Sequence, residues 1–351
     1  MKIAQVCPYD YFRPGGVQNH IRGLTAELRR RGHRVEVLAP RGPRAGEGVR
    51  FVGSCLKVAF NHSQIDLTAA WPSELRGLER FDLVHYHTFW NPFLPWQLRA
   101  ALRVPSLATF HDVAPPTLVG SLCRLAMPLA AGLISRLMGA VVAVSPATRR
   151  YLARFCSEAH LIPNGLCTAE FTPGPEQPEL LYLGRLERRK GVEILLSAFG
   201  RLSSRFPELT LTVAGDGPLR GRLEAMAPKR TRFLGEVDEP TKRALLARCA
   251  LLCAPSLYGE SFGLVLTEAM ASGKPPVAAA NEGYRTVLTG PLERLLVPPG
   301  DAEALAARLG ELMAAPDLRL ELGRQARQLV RRYDWERVTD ELEQVYARLV
   351  A

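Results

Sequence analysis

Thr168-Ala-Glu-Phe-Thr-Pro-Gly-Pro-Glu-Gln-Pro-Glu179-Leu180-Leu-Tyr-Leu183-Gly184-Arg185-Leu186-Glu187-Arg188-Arg189-Lys190-Gly191 is the stretch on which the reading of the fold turns. Its first twelve residues, rich in Pro and polar side chains, break any regular pattern and read as a linker. Leu180–Leu183 is a short apolar run of buried-strand type, and Gly191–Phe206 has helical apolar spacing. Toward the N-terminus the same rhythm is present. Ile3–Cys7 reads as a strand. Val17–Arg31 reads as a helix with Ile21, Leu24 and Leu28 on one face, ended by Gly32. Arg34–Ala39, Leu83–Tyr86, Ser106–Phe110 and Ala140–Ser145 read as further strands. Toward the C-terminus come strands Leu209–Ala214, Thr231–Leu234, Leu251–Ala254, Pro276–Ala279 and Arg294–Val297, then a last helix from Trp335 to Val350. Alternating strands and helices predict parallel sheets covered on both faces. The expectation is an α/β chain of two Rossmann-like domains, residues 1–170 and 171–334, with the helix at 335–351 packing back on the first and the two sheets facing a central cleft. In such sheets ligands gather at the carboxyl ends of the strands.

A chain of 351 residues that is 47% hydrophobic can fill two cores of ordinary size. Its net charge of +10 suits an anionic ligand or an anionic membrane surface, though solvated basic helix faces produce the same balance. No DNA-reading element or aromatic RNA-binding strand is present, so no nucleic-acid partner is expected. The seven cysteines (Cys7, Cys55, Cys123, Cys156, Cys167, Cys249 and Cys253) are scattered and odd in number, which argues against a disulfide framework and for a reducing compartment. Cys249 and Cys253 read as core on one apolar helix. His85 and His87 could ligate a metal, but no Cys or carboxylate cluster completes a site, so no metal is expected. The chain opens on a strand rather than a signal peptide, and the apolar stretch Leu125–Val144 is interrupted by Pro128 and Arg136. A cytoplasmic protein is expected, with peripheral contact to the inner face of the membrane as an option. Leu94-Pro95-Trp96 with Arg99 and Arg103, and Leu118–Met138 with Arg124 and Arg136, could lie on an anionic bilayer or be core helices with solvated arginines.

Four motifs fall at strand ends. Pro14-Gly15-Gly16-Val17 precedes a helix whose free N–H groups attract anions, and paired glycines let the backbone approach a ligand. It is not a Gly-x-Gly-x-x-Gly fingerprint, which counts against a dinucleotide oxidoreductase. Gly184–Gly191 places Arg185 and Lys190 where both can meet a diphosphate at a helix start and stabilise it as a leaving group. Glu260 and Glu268 are eight residues apart. Glu260 lies in a Gly-bounded loop whose Ser261, Phe262, Gly263 and Leu264 amides can meet sugar or phosphate. Glu268 lies on an apolar helix, where an ionised carboxylate needs partners such as the vicinal hydroxyls of a ribose. Thr109-Phe110-His111-Asp112 ends a strand with an imidazole that could contact a sugar hydroxyl or be a satisfied core residue.

With these motifs, Asn164-Gly165 after Ile162-Pro163, and Gly215-Asp216-Gly217, the whole chain resembles the retaining glycosyltransferases of family 4, with the GT-B fold. Val6-Cys7-Pro8-Tyr9, Phe233-Leu234-Gly235-Glu236-Val237-Asp238, Gly259–Gly263 and Tyr333-Asp334-Trp335 are similar to bacterial phosphatidylinositol mannosyltransferases. The resemblance implies a nucleotide-diphosphate sugar donor, GDP-mannose or a UDP-hexose, and a lipid or glycan acceptor, with no cofactor and no metal. It implies that Arg185 and Lys190 bind the diphosphate, that Glu268 holds the ribose, and that Glu260 and the Ser261–Leu264 amides meet the donor sugar and phosphate. Gly15 and Gly16 would lie against the diphosphate, Gly184 and Gly215 would line the donor site, and His111 would sit by the transferred sugar. Tyr9, Gln18 and Asn61 would lie on the acceptor side. It also implies a front-face substitution in which the departing phosphate helps take the acceptor's proton. Asp112-Val-Ala-Pro-Pro116 after His111, and Asp66 near Asn61, depart from the mannosyltransferases' pattern, as does Leu166-Cys167 after Asn-Gly. Acidic residues facing a phosphate repel it, which argues against phosphatidylinositol as acceptor. A sugar-nucleotide epimerase and a non-catalytic nucleotide-sugar binder on the same architecture are the other readings.

Overall fold

The computed structural model describes every residue except 14, 45, 61–62, 77, 79, 90–92, 112–135, 154–155 and 157, and of 57–60 and 63–66 it describes the backbone alone. Asn61, Asp112–Pro116 and most of Leu118–Met138 therefore lie outside the described residues or side chains. The chain divides into two compact units, Met1–Gly165 with Trp335–Ala351, and Leu166–Asp334.

The first unit is built on β1 (Lys2–Val6), β2 (Arg34–Arg41), β3 (Val49–Phe60), β4 (Ser63–Ala69), β5 (Leu83–His87), β6 (Ser106–Phe110), β7 (Ala140–Ala143) and β8 (His160–Leu161). They form one sheet in the order β4-β3-β2-β1-β5-β6-β7-β8, parallel except for the β3–β4 hairpin at one edge. That order steps outward from β1 in both directions, the mark of a doubly wound sheet. β1, β5 and β6 are buried along nearly their whole length, because helices cover both faces. Helix α1 (Gly16–Arg30) turns Ile21, Leu24 and Leu28 inward, as its periodicity predicts. Helices α2 (Pro72–Arg76), α3 (Leu94–Ala101) and α4 (Pro146–Leu152) follow. Leu94 and Leu98 of α3 are wholly buried, so that basic-apolar stretch is in part a core helix. Ala140–Ala143, within the apolar stretch Leu125–Val144, is a strand. No helix among the described residues is long and apolar enough to cross a membrane.

The second unit carries β9 (Glu179–Leu183), β10 (Thr210–Ala214), β11 (Thr231–Gly235), β12 (Leu251–Ala254), β13 (Pro276–Ala279) and β14 (Leu296–Val297), all parallel, in the order β11-β10-β9-β12-β13-β14. Its helices are α5 (Val192–Leu202), α6 (Arg220–Met226), α7 (Glu239–Arg248), α8 (Leu264–Ala271), α9 (Tyr284–Val287), α10 (Ala302–Ala314) and α11 (Pro316–Val330). The last helix, α12 (Trp335–Val350), belongs to the first unit and packs on α1.

Three readings of the sequence are corrected. The Pro-rich stretch after Thr168 is not a free linker. Its amides at Gly174 and Gln177 donate to the carbonyls of Ala247 and Arg248, Glu176 pairs with Arg319, and Phe171 is buried. Pro supplies no N–H, so the segment stays irregular, yet these contacts pack it against the rest of its own unit. Glu179, assigned to that stretch, begins β9. It is buried because Arg248 (2.8 Å) and Arg232 (3.3 Å) neutralise it. Cys249 and Cys253 do not share a helix. Cys249 caps α7 and Cys253 lies in β12, both buried, and no disulfide links the six described cysteines.

Candidate functional site

In the second unit the chain leaves β9 through Gly184, Arg185 and Leu186 into a 3-10 turn, Arg188–Lys190, from which Gly191 starts α5. Gly215, at the end of β10, comes so close to β9 that a Cβ on it would stand 1.9 Å from the Gly184 carbonyl oxygen, and its φ of +139° disfavours any side chain. Gly184 and Gly215 thus bring two strand ends together with bare backbone.

The basic turn is not solvated at random. Lys190 Nζ donates to Glu260 Oε1 at 2.7 Å, Arg189 reaches the same oxygen at 3.5 Å, and Arg185 and Arg189 hold Glu187 at 2.9 and 3.1 Å. Burial alone pushes the Glu260 carboxyl up, but the Lys190 and Arg189 cations outweigh it and hold the group below its ordinary range. Arg185 is half-exposed, whereas Lys190 and Glu260 are mostly covered. Glu260 opens a loop that ends at Gly263, the cap of α8, whose φ of +110° and Tyr284 ring 2.7 Å from a notional Cβ exclude other residues. Among the described residues the amides of Ser261 to Leu264 donate no backbone hydrogen bond. Phe262 is buried edge-on against Tyr333, and the Tyr284 hydroxyl meets Ser256 Oγ at 3.0 Å, so the loop is anchored from below. Cations, a carboxylate and bare amides at a helix start can hold a diphosphate and stabilise charge developing on it.

Glu268 lies one turn into α8. Its Oε1 accepts from Lys242 Nζ of α7 at 2.6 Å, a partner that nothing in the spacing of the chain announces. Burial pushes the Glu268 carboxyl up, and Lys242 offsets only part of that.

The first unit gathers a second set. His111 follows β6 directly and is buried. Its Nε2 lies 3.1 Å from His87 Nδ1, and His87 Nε2 meets Gln5 Oε1 at 2.6 Å. His20 of α1 lies edge-on to His111 at 4.8 Å, and His85 bridges the Tyr346 hydroxyl (2.7 Å) and Thr109 Oγ1 (2.6 Å). Burial pushes His85 and His111 down to about 3, with the His111 ring lowering His85 further, so both imidazoles are neutral. Helix α1 and strand β6 bring His20 and His111 to His87, with ligand nitrogens within 4.8 Å of one another, a grouping of imidazoles that includes no Cys or carboxylate. Gly15 caps α1 with no side-chain cap of its own, the Gln18 carboxamide folds over it, and Gln18 Nε2 donates to the Asp10 carbonyl at 3.3 Å. Gly16 begins the helix, and Tyr9 packs on the small core around Tyr11 and Ile21. Each unit therefore assembles its own candidate residues.

Two motifs shared with the resembled family are structural. Asp334 accepts from the Thr168 hydroxyl, and Trp335 covers Gly165 and Gly23 so closely that a Cβ on either would stand within 2.3 Å of its ring. A separate concavity in the first unit, about 720 Å³, is lined by Trp96, Arg99, Arg103, Leu137 and Leu349 among others.

Residues 169–329 match the family described as Glycosyl transferases group 1, and residues 14–170 match Glycosyltransferase Family 4. The chain is 35% identical to phosphatidyl-myo-inositol mannosyltransferase of Mycolicibacterium smegmatis, over 99% of this chain and 93% of that one. Among solved structures, sucrose-phosphate synthase from Thermosynechococcus elongatus superposes with a TM-score of 0.78 at 25% identity, covering 99% of this chain and 98% of that one. HepE of Anabaena, solved with UDP and glucose, superposes with a TM-score of 0.80 at 19% identity, covering 99% and 100%. Two doubly wound parallel sheets, the Arg185–Lys190 turn with its Glu260 loop, and similarity along the whole chain lead to one conclusion: the chain belongs to the family 4 glycosyltransferases of the GT-B fold, alongside the mannosyltransferase-like members.

Proposed function

We propose that the protein transfers a hexose from a nucleotide-diphosphate sugar, GDP-mannose or a UDP-hexose, to a hydroxyl of a lipid or glycan, with retention at the anomeric carbon. The convergence of Arg185, Arg189, Lys190 and Glu260 beside the bare amides of residues 261–264 carries this reading. Lys190 and Arg185 donate to the diphosphate oxygens, and the amides and Glu260 meet the sugar and its phosphate. The bond from the anomeric carbon to the phosphate oxygen breaks as negative charge gathers where these donors point. The acceptor oxygen attacks the same face, and its proton passes to the departing phosphate. Glu268 takes the ribose hydroxyls. His111, being neutral, meets the sugar by hydrogen bonding rather than by charge. Gly15 and Gly16 lie by the diphosphate, and Tyr9, Gln18 and Asn61 serve the acceptor. The cationic side chains supply the charge compensation, and the reaction proceeds without a metal ion.

The relatives' name makes phosphatidyl-myo-inositol the first acceptor to try, while Asp112 beside His111 favours a less anionic one. The deciding experiment is a thermal-shift screen with UDP, GDP, ADP and their hexose conjugates, followed by product analysis with lipid and glycan acceptors. One nucleotide at a hundred times its Kd should stabilise the fold by about 2.7 kcal/mol. No shift with any of them overturns the donor reading. Isomerised donor without acceptor would show an epimerase, and binding without turnover a non-catalytic binder.

A further inference from the structure

We infer that Lys242 is a positioning residue for the donor's ribose: it fixes one carboxylate oxygen of Glu268 and leaves the other for the vicinal hydroxyls. The inference rests on the reading of Glu268 as the ribose acceptor. Lys242 lies in the first turn of α7, a helix whose start is set by Asp238 accepting from the Thr241 amide at 2.9 Å. From there its ammonium crosses to α8 and donates to Glu268 Oε1 at 2.6 Å and to Glu239 at 2.9 Å. Both side chains of the Lys242–Glu268 pair are largely covered, at 14% and 12% exposure, so neither charge is screened by bulk water. Glu268 Oε2 makes no hydrogen bond among the described residues. A carboxylate that must accept from two hydroxyls needs ionisation and a fixed plane, and a buried carboxyl loses ionisation first.

Among the described residues, the charged groups that act on Glu268 stand on α7. Lys242 and Arg243 favour the carboxylate and Glu239 opposes it, with Arg243 itself turned to Glu170 at 2.6 Å. Burial already pushes the Glu268 carboxyl up, so removing Lys242 moves it further toward the neutral form. The pair therefore acts on discrimination between ribose and deoxyribose, a readout that a merely structural contact leaves alone.

The test is the dissociation constant of UDP and of GDP, each beside its 2′-deoxy form, by titration calorimetry between pH 6 and 8.5. Four proteins are compared: wild type, Lys242→Met, Lys242→Arg and Glu268→Gln. Wild type should prefer the ribonucleotide at every pH. Lys242→Met should lose about tenfold of that preference, the scale of one hydrogen bond to a charged group, and its remaining preference should shrink as the pH falls. Lys242→Arg should restore most of it. If the methionine variant does not fold, Lys242→Gln takes its place with the same expectation. A Lys242→Met protein with wild-type preference at every pH overturns the inference, provided Glu268→Gln has lost the preference. If Glu268→Gln also keeps it, the ribose reading itself fails and the inference falls with it.

Discussion

Lys190 and Glu260 neutralise each other at 2.7 Å in a mostly covered site, and Arg189 stands by at 3.5 Å as a second cation. Lys190→Ala leaves Glu260 one cation, so the fold should survive. Turnover should fall about 10²–10³-fold, the cost of one preorganised donor to developing charge. Steady-state rates beside a melting curve check it, and a near-normal rate would remove Lys190 from the leaving-group role. Glu268→Ala should weaken donor binding by about 1.5–3 kcal/mol, the range for hydrogen bonds to a charged group, with kcat less affected. At this scale Arg185, Lys190, Glu260 and Glu268 are legible because each pair lies within one short motif. Arg189 reads in the sequence only as part of a basic turn, and its ion pairs emerge from the curl of the 3-10 helix. Lys242 could not be read at all, because it lies 26 positions before Glu268 and only the tertiary fold brings its ammonium across to that carboxylate.

Among the elements, β1, β2, β5, β6, β7, the six strands of the second sheet and helices α1 and α12 fall within a residue or two of their apolar patterns, since burial on both faces leaves continuous apolar runs, whereas the two-residue β8 has no such pattern. The β3–β4 hairpin escaped that reading. It is the antiparallel edge of a parallel sheet, with Gly53 inside β3 and only residues 61–62 between the strands. Residues 290–295 form a 3-10 turn where a strand was expected to begin, because Gly290-Pro291 forces the chain to bend before Leu296. The close contact of α12 on α1 makes a local prediction. Gly23→Ala places a methyl 2.3 Å from Trp335 Nε1. It should lower stability by about 1–3 kcal/mol, the usual cost of overpacking, read as a drop in urea midpoint with an unchanged m-value. An unaffected midpoint would show that Trp335 can swing aside freely.

The whole molecule carries a net charge of +10 and buries several neutral imidazoles in its first unit, and each fact has a measurable consequence. His85 and His111 titrate near 3 when folded, against about 6.5 when unfolded. The unfolded chain therefore binds more protons between those values, and stability falls as the pH drops from about 6.5 toward 3. Each such ring contributes about 1.4 kcal/mol per pH unit. Calorimetric melting at pH 7, 6 and 5 should show a progressive loss, and a flat series would mean that the folded rings take up protons at the same pH as the unfolded chain. The expectation of peripheral membrane contact can be tested on the face that carries Arg99 and Arg103. Arg99→Glu with Arg103→Glu should weaken sedimentation with anionic liposomes at low salt and leave neutral liposomes unaffected. Equal binding before and after would withdraw that face from membrane contact.

Periodicity, Gly and Pro punctuation and a handful of local motifs were enough to determine two α/β units with parallel sheets and to single out Arg185, Lys190, Glu260 and Glu268 as candidate site residues. These features depend on neighbours in the chain, where spacing and chemistry are both visible. Tertiary structure alone decided that the Pro-rich stretch is packed rather than free, that His20, His85, His87 and His111 share one buried cluster, and that Lys242 answers Glu268. Each of these joins residues far apart in sequence, and a buried polar group finds its partner through the packing of whole elements, which no local pattern encodes.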